Sequence, residues 1–276
     1  MPTARRTGTV LAGIVAAILL TTSPATADPG PPPTSMTSLG DSITRGFNAC
    51  GWYVDCTSRS FSTGDNSSVN SHYLRIRAAN SAINGRNHNA GRTGAKSADL
   101  VGQANTAVSR GSQYVTILIG ANDACTSSES TMTAVGTYRS NIDAALNRLK
   151  SGLPNARVFL ISVPDIQRLW SVGRTSSDAR TAWSLFGICQ SMLARPTSTA
   201  QADVDRRNRV RQRVVDFNGQ LAQACAAYGT NCRFDNNAVF SYPFALNQLS
   251  DWDYFHPNAS GQRVLSSVSY PAGFNW

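Results

Sequence analysis

The sequence predicts an α/β protein with three layers, in which helices cover both faces of a central parallel sheet. Short apolar runs, each followed by glycine or proline, alternate with longer stretches whose apolar residues recur at helical spacing. The short runs are continuously apolar rather than alternating, which is typical of strands buried on both faces. Strands that alternate with helices indicate βαβ units and a doubly wound sheet.

The first 27 residues are predicted to be a secretory signal peptide. Arg5 and Arg6 precede an apolar run of 11 residues, 10–20, and Ala25-Thr26-Ala27 is a typical cleavage pattern. A membrane anchor is the alternative, but the run is shorter than the ~18 apolar residues that span a bilayer. We therefore expect a secreted, extracellular protein. After the signal peptide we expect a proline-rich lead-in, 28–35, and a single domain, 36–276.

The strands are predicted where apolar runs stop abruptly. They are 36–39, 83–88, 114–119 and 156–163. The run 83–88 has the weakest signal, whereas Gly40, Gly120 and Pro164 directly follow the other three. Glycine permits a tight exit from a strand, so we expect loops at these points.

The helices are predicted between and after these strands. They are 69–82, 97–108, 131–150, 203–228 and 257–268. Ser97 is the expected N-cap of the second, with Asp99 in its first turn. Residues 165–200 have the least regular pattern, and their large apolar side chains either line a pocket or fill the core.

Six cysteines follow the proposed signal peptide. An even number in an exported chain predicts disulfides, here three, because the compartment is oxidising. The short spacings favour two pairs and leave a third: Cys50–Cys56, Cys225–Cys232 and Cys125–Cys189. A structural zinc site is the competing interpretation, but no C-x-x-C pair or nearby histidine cluster supports it. We predict no metal.

The chain is basic, with a formal net charge of +9, and arginine supplies almost all of the positive charge. The densest run is 205–213. One interpretation is a solvated helix face, and the other is contact with an anionic surface such as lipid headgroups. Nucleic acid is not a predicted partner, because no nucleic-acid motif is present and aromatic residues do not interleave with the arginines.

Three short polar patterns follow predicted strands. Ser42, in Gly40-Asp41-Ser42, is a candidate nucleophile, because sites in open parallel sheets form beyond the carboxyl ends of strands. Asn122 follows the strand 114–119 and can donate its amide to a developing oxyanion. Gly94, at the end of the segment 89–94, offers a backbone N–H for the same purpose. Each pattern alone is also compatible with an ordinary turn.

The chain has three histidines, His72, His88 and His256, and a hydrolytic mechanism usually needs a base that titrates near neutrality. His256 is the best candidate, because Asp253 lies three residues before it and can orient the imidazole ring. Pro257 fits the first turn of the next helix. A surface histidine without a role is the alternative for this pattern on its own.

Taken together, these patterns resemble the SGNH hydrolases, the superfamily of GDSL-type esterases and lipases. Four blocks occur in the order of that superfamily: Gly40-Asp41-Ser42, with Ile43 in place of leucine, Asn89 to Gly94, Gly120-x-Asn122-Asp123 and Asp253-x-x-His256. The closer similarity is to the phospholipase B-like branch. It rests on the segments 61–65, 94–100, 119–125 and 253–257. The layout is also similar to that of secreted actinobacterial lipases and esterases.

The resemblance implies a flavodoxin-like SGNH hydrolase fold. The sequence contains no P-loop and no G-x-G-x-x-G motif, so we predict no cofactor. In such an enzyme Ser42 attacks an ester carbonyl, His256 takes its proton and Asp253 orients His256. The backbone N–H groups of Ser42 and Gly94 and the side chain of Asn122 form the oxyanion hole.

Three functions remain open at this point. The first is hydrolysis of lipid acyl esters, with peripheral contact to a lipid surface. The second is removal of acetyl groups from a polysaccharide, and the third is binding without catalysis. In each case we expect a monomer. Asp41 and Asp123, next to the site residues, are expected to support their loops.

Overall fold

A computed structural model of the chain describes residues 1–4 and 30–276. Most of the predicted signal peptide and the start of the proline-rich lead-in lie outside these residues. The strands of the described part form one parallel sheet in the order β2-β1-β3-β4-β5. They are β1 Met36–Gly40, β2 Asn87–Asn89, β3 Tyr114–Leu118, β4 Arg157–Leu160 and β5 Cys232–Phe234. This is the flavodoxin-like order, and the predicted fold class is confirmed.

The register of the sheet brings two strand ends together. β1 pairs with β3 from Met36 opposite Tyr114 to Gly40 opposite Leu118. All residues of both strands are buried, as expected of central strands covered on two faces. The loops that leave β1 and β3 therefore start side by side at one edge of the sheet.

Ten α-helices lie in the described residues. They are α1 His72–Ala79, α2 Leu100–Ser109, α3 Ala121–Ala124, α4 Val135–Gly152, α5 Ile166–Gly173, α6 Ser177–Leu185, α7 Gln190–Leu193, α8 Gln201–Tyr228, α9 Ala238–Ser241 and α10 Ala259–Ser269. α4 packs between α2 and α8 along one face of the sheet, and α1 and α10 meet on the other. No helix within residues 1–4 and 30–276 combines the length and apolarity needed to cross a membrane.

His72 belongs to the core between α1, β3 and α10. Its Nδ1 lies 3.2 Å from the Tyr114 hydroxyl and its Nε2 lies 2.8 Å from Oγ of Ser269. Burial lowers the pKa of His72 to about 3, so the ring is neutral near neutral pH. This histidine is a structural residue.

Several parts of the fold differ from the prediction. β2, Asn87–Asn89, overlaps only the last two residues of the predicted strand 83–88, and the four-residue helices α3 and α9 were not expected. β5 has only three residues, Cys232–Phe234, which is too short for an apolar pattern to be recognised. The segment 165–200, expected to be irregular, contains the helices α5, α6 and α7. Its large side chains divide between environments, because Trp183 and Met192 are buried in the core whereas Phe186 is exposed.

Three disulfides join elements of the described part. They are Cys50–Cys56, Cys125–Cys189 and Cys225–Cys232, the connectivity that the spacing favours. The first closes a short loop after β1, the second ties the end of α3 to the start of α7, and the third holds the end of α8 against β5.

The arginine run lies on α8 and bonds to neighbouring parts of the protein. Its partners are the Ala194 carbonyl for Arg206, the Ser198 carbonyl for Arg207, Glu129 for Arg209, Asp165 for Arg211 and the Thr133 carbonyl for Arg213. The run therefore anchors α8 to the surrounding loops. It is neither a simple solvated face nor a set of arginines left unpaired for lipid headgroups.

Candidate active site

The site begins where β1 ends at Gly40. The φ angle of Gly40 is +149°, and a Cβ atom there would lie 2.3 Å from the Leu118 carbonyl oxygen. Only glycine allows this approach of two strand ends. The side chain of Gln103, on α2, holds the same residue by accepting from its N–H at 2.7 Å and donating to its carbonyl at 2.9 Å. The backbone at the end of β1 is thus fixed through both its N–H and its carbonyl.

Ser42, His256 and Asp253 form a continuous line of hydrogen bonds. Nε2 of His256 lies 2.8 Å from Oγ of Ser42, and Nδ1 lies 2.6 Å from Oδ2 of Asp253. Asp253 is 1% exposed and Ser42 is 5% exposed, while the His256 side chain is 15% exposed. The structure brings these three predicted residues together in the arrangement used for nucleophilic acyl transfer.

The turn that carries the histidine is held by its own aspartate. Oδ1 of Asp253 accepts from the N–H groups of Phe255 and His256, both at 3.0 Å. Tyr254 has a φ of +50°, which a bulky residue adopts only when its surroundings impose it. The indole N–H of Trp183 donates to the Tyr254 carbonyl at 3.1 Å and helps to impose that conformation.

Asn48 is a site residue that the sequence patterns do not reveal. Its side-chain amide donates to Oδ2 of Asp253 at 2.7 Å, and the residue is 1% exposed. This bond stabilises the carboxylate on the oxygen that also faces the His256 ring. Asn48 has a φ of +67°, a conformation in which asparagine is enriched. That preference predicts a turn, but nothing in the sequence connects this turn to Asp253.

A glutamine of α10 joins the histidine region to the serine loop. Nε2 of Gln262 donates to the Ile43 carbonyl at 2.9 Å, and its Oε1 accepts from the Phe61 N–H at 2.9 Å. Gln262 is fully buried. Because α10 follows His256 directly, these bonds restrain the position of Ser42 relative to the imidazole.

The predicted oxyanion donors lie on linked loops. Within the described residues, the N–H groups of Ser42 and Gly94 have no hydrogen-bond partner. The Asn122 amide donates to the Ala95 carbonyl at 3.0 Å, which attaches the loop after β3 to the loop that carries Gly94. The N–H of Arg92 donates to the Gly40 carbonyl at 3.0 Å, so the same loop is also attached to the exit of β1.

Ser97 does not cap a helix, contrary to the prediction. It lies in a short 3-10 turn before α2, where its N–H and its Oγ both donate to the Asp123 carboxylate, at 2.9 and 2.7 Å. A capping serine would accept through Oγ from a backbone N–H of the helix. Here Oγ accepts from the Asn141 amide at 3.0 Å instead, and its hydrogen goes to a carboxylate in a charge-assisted bond. Asp123 is thereby a support of the site loops, as its position next to Asn122 suggests.

Asp41 is fully buried next to the serine. Its Oδ1 accepts from the Ile43 N–H at 2.9 Å, whereas its Oδ2 has no partner among the described residues. Burial is the main cause that raises the pKa of Asp41 to about 7, and the carboxylate of Asp123 acts in the same direction. The Ile43 bond and the His256 ring lower it, but by less.

Replacing Asp41 with asparagine is expected to flatten the pH dependence of stability. The pKa of Asp41 is 3.8 for the ordinary group and about 7 in the fold. Its contribution to the free energy of unfolding is therefore fully present below pH 3.8 and is lost as the pH rises through about 7. The loss is at most roughly 4 kcal/mol. Denaturant unfolding of both proteins at pH 5 and pH 8 measures it. If the free energy of unfolding changed equally between the two pH values in the unsubstituted protein and in Asp41→Asn, the assignment would be contradicted. Asp251→Asn, at an exposed position, is the control and should keep the pH dependence of the unsubstituted protein.

An apolar cleft opens beside the serine. Residues adjacent in sequence to the site residues form part of its wall, and α5 with the loops before α10 forms the rest. The lining apolar residues are Ile43, Ala121, Pro164, Ile166, Leu169, Val172, Phe244, Leu249, Phe255 and Pro257. The cleft is narrow: a water-sized sphere has about 50 Å³ of room inside it, and about 550 Å³ is reached only when the gaps between atoms and the open mouth are included. A wider depression around 111–113 and 152–157 lies at the opposite edge of the sheet, away from these side chains.

The remaining titratable groups do not extend the site. His88 lies in β2 at the edge of the sheet. No group of three or more His, Cys, Asp or Glu residues in the described part of the chain is arranged to hold a metal ion.

The sheet is parallel, and a hydrogen-bonded serine, histidine and aspartate lie at the carboxyl ends of its strands. This combination is typical of hydrolytic enzymes with an α/β fold. The profile of the GDSL-like lipase/acylhydrolase family matches residues 38–264, and the chain belongs to this family. It is therefore a carboxylic ester hydrolase. The comparison with curated proteins gives no match.

Solved structures share the fold at low sequence identity. An alpha/beta hydrolase enzyme from the metagenome of Lake Arreo, Spain, is 18% identical, with a TM-score of 0.52 over 86% of this chain and 94% of that chain. A catalytic mutant of an acetylxylan esterase from Geobacillus stearothermophilus is 13% identical, with a TM-score of 0.53 over 88% of this chain and 94% of that chain. These similarities show the fold alone.

Proposed function

We propose that the protein is an extracellular esterase that hydrolyses acyl esters of lipids through an acyl-enzyme on Ser42. The observation that carries this proposal is the apolar cleft beside Ser42. A cleft walled by Ile166, Leu169 and Val172 offers an acyl chain a continuous apolar surface. Each methylene group that leaves water for such a surface contributes about 0.8 kcal/mol of binding free energy.

The mechanism follows from the line of hydrogen bonds. Ser42 Oγ attacks the ester carbonyl while its proton passes to Nε2 of His256, 2.8 Å away. Asp253 accepts from Nδ1, selects the tautomer that leaves Nε2 free and stabilises the imidazolium. His256 then returns the proton to the departing alcohol, and a water molecule, deprotonated by His256 in turn, hydrolyses the acyl-enzyme.

The negative charge of the tetrahedral intermediate needs donors that are free before the reaction. The N–H groups of Ser42 and Gly94 meet this condition in the described part of the structure. Asn122 uses one amide hydrogen for the Ala95 carbonyl and keeps the other. Donors of this kind are worth ~10²–10³ in turnover each, because they are already oriented when the charge develops.

The extracellular location is supported by the three disulfides and by the pattern at residues 1–27. Disulfides persist in oxidising compartments and are rare in the cytosol. The bonds also close loops near the site, so a reducing environment would loosen it. We propose secretion on these grounds.

Deacetylation of a polysaccharide is the second candidate function. The observation in its favour is a group of exposed aromatic rings near the site, Tyr53, Phe186 and Trp252, since such rings can stack on sugars. An acetyl group, however, needs space for one methyl group and leaves most of the apolar cleft unused. The third candidate, binding without catalysis, does not explain why Ser42, His256 and Asp253 are all present and hydrogen-bonded.

A panel of esters of different chain length tests the proposal. We expect the protein to cleave octanoyl and palmitoyl esters and to release fatty acid from phosphatidylcholine. Leu169→Trp fills part of the cleft and should lower kcat/KM for octanoyl esters by about tenfold more than for acetyl esters, because several methylene contacts are lost. Val101→Trp, at an exposed position of α2, is the matched control. It should leave kcat/KM unchanged for both octanoyl and acetyl esters.

Each outcome of the panel has a clear meaning. Cleavage of acetyl esters alone, insensitive to Leu169→Trp, would contradict the lipid proposal and favour the polysaccharide. An absence of hydrolysis with every ester, in a protein shown to be folded and oxidised, would contradict both.

A further inference from the structure

The exposed apolar side chains of the protein are concentrated in one place. Within the described residues, eight large apolar side chains are exposed, and six of them belong to three segments that ring contacts bring together, which we call the aromatic rim. Its members are Trp52, Tyr53, Val54, Leu185, Phe186 and Trp252. Trp52 and Leu185 are the most exposed, at 68% and 75%. Concentrated apolar exposure of this kind marks an interaction surface.

The aromatic rim is continuous with the candidate active site. The rings of Tyr53 and Phe186 stack at 5.9 Å, and Trp252 lies 6.3 Å from Tyr53. Tyr53 packs edge-on against Phe47 at 5.0 Å, and Phe47 packs against the imidazole of His256 at 4.9 Å. A partner seated on the rim would therefore lie next to the mouth of the site.

The loop that carries half of the rim is built to keep its side chains exposed. The Cys50–Cys56 disulfide closes it, and the Val54 carbonyl accepts from the Asn48 N–H at 2.9 Å. The Trp252 indole donates to the Gly51 carbonyl at 2.9 Å, which joins the loop to the turn before His256. These bonds hold the backbone of the loop on either side of Trp52, whose side chain lies at the surface.

We propose that the aromatic rim is a docking surface for a phospholipid bilayer, on which the enzyme sits while an acyl chain enters the cleft. This inference rests on the proposed lipid-ester function. Trp and Tyr are the residues that favour the membrane–water interface, because one part of each side chain is apolar and the other is polar. Val54 and Leu185 contribute aliphatic surface that suits acyl chains and has no flat ring to stack on a sugar.

The charged side chains next to the aromatic rim indicate which kind of lipid it can bind. Asp55 lies in the same loop and pairs with Arg45 at 2.9 Å, and the exposed Asp251 directly precedes Trp252. The arginines of α8 bond to the protein itself. Binding should therefore depend on apolar insertion, require no anionic lipid and persist at high salt, where exposed charge pairs are screened.

The test uses vesicles of pure phosphatidylcholine and the oxidised, full-length protein after export. The Ser42→Ala variant serves as the background, so that the lipid stays intact. Sedimentation with vesicles gives the partition coefficient. Adding Trp52→Ser and Leu185→Ser together should lower it by at least about tenfold, because two large apolar side chains no longer insert. Val101→Ser removes an exposed apolar side chain outside the rim and should leave the coefficient unchanged.

A kinetic measurement separates this inference from the proposed function. With Ser42 present, the ratio of turnover on phosphatidylcholine vesicles to turnover on a dissolved butyryl ester should fall about tenfold in the double variant. Hydrolysis of dissolved long-chain esters without any vesicle binding would overturn the docking surface and leave the esterase intact. Equal binding by all variants, or binding lost at high salt, would also overturn it. Retention on insoluble acetylated xylan that requires Trp52 would assign the rim to polysaccharide instead.

Discussion

Replacing Ser42 with alanine is expected to lower ester hydrolysis by about 10⁶-fold, the loss seen when the serine of another serine hydrolase is removed. Among the described residues, Oγ of Ser42 is the hydroxyl that lies 2.8 Å from Nε2 of His256, so the proposed acyl-enzyme would form there. Ser42 is 5% exposed, and the smaller side chain introduces no clash. The fold should persist, as thermal unfolding and near-ultraviolet circular dichroism would report.

The measurement should combine steady-state turnover with detection of the acyl-enzyme by mass spectrometry. Ser62→Ala is the control, because Ser62 is also a buried serine but bonds to Thr116 Oγ1 at 2.7 Å in the core. It should retain activity per folded molecule. Hydrolysis by the Ser42 variant within tenfold of the unsubstituted protein, or an acyl adduct on another residue, would show that the mechanism is wrong.

Replacing Asp253 with asparagine is expected to lower turnover by about 10⁴-fold with little change in structure. Asp253 accepts from the His256 ring at 2.6 Å and from Asn48 at 2.7 Å through the same oxygen. An amide can present its NH₂ group to the ring, which favours the tautomer with the proton on Nε2. That tautomer cannot take the proton from Ser42.

The exposed Asp251, two residues earlier in the chain, supplies the control, and Asp251→Asn should retain full turnover. Thermal unfolding of Asp253→Asn should remain close to that of the unsubstituted protein, for two reasons. The asparagine oxygen can still accept from the N–H groups of Phe255 and His256, and the Asn48 amide can turn its unpaired Oδ1 towards the new NH₂ group. Turnover within tenfold of normal would mean that another acceptor orients His256 and that Asp253 only shapes the turn. Turnover and stability falling together would point to the same structural role.

The three central strands and the five helices that cover most of the sheet were predictable because their signals are local. The apolar runs before Gly40 and Gly120 are long enough to identify β1 and β3, and the patterned stretch at 203–228 matches α8, Gln201–Tyr228. β5 and the helices α3, α5, α6, α7 and α9 were missed. Each is short and, unlike β1 and β3, is not a continuous apolar run that ends at a glycine. The position of β5 depends on its pairing with β4, and the positions of the missed helices depend on the elements against which they pack.

The candidate site likewise contains residues that the sequence predicts and residues that it does not. Ser42, Gly94 and Asn122 each follow a strand, and the parallel direction of those strands predicts that they meet at one edge. The role of Ser97 was misjudged, because its partner Asp123 is 26 residues away and no capping rule considers it. Asn48 and Gln262 gave no usable signal, because their function depends on atoms far along the chain.

The sequence by itself determined the fold class, the family and the residues predicted for the candidate site. It did so because strand ends, glycine exits and short polar patterns are properties of neighbouring residues. Only the tertiary structure decided which further groups join the predicted site. It places Asn48 against Asp253 across 205 positions, pairs the arginines of α8 with the protein, and gathers two exposed loops and an α6 end into the aromatic rim. These contacts depend on how the layers pack, and packing joins residues whose separation along the chain leaves no local pattern.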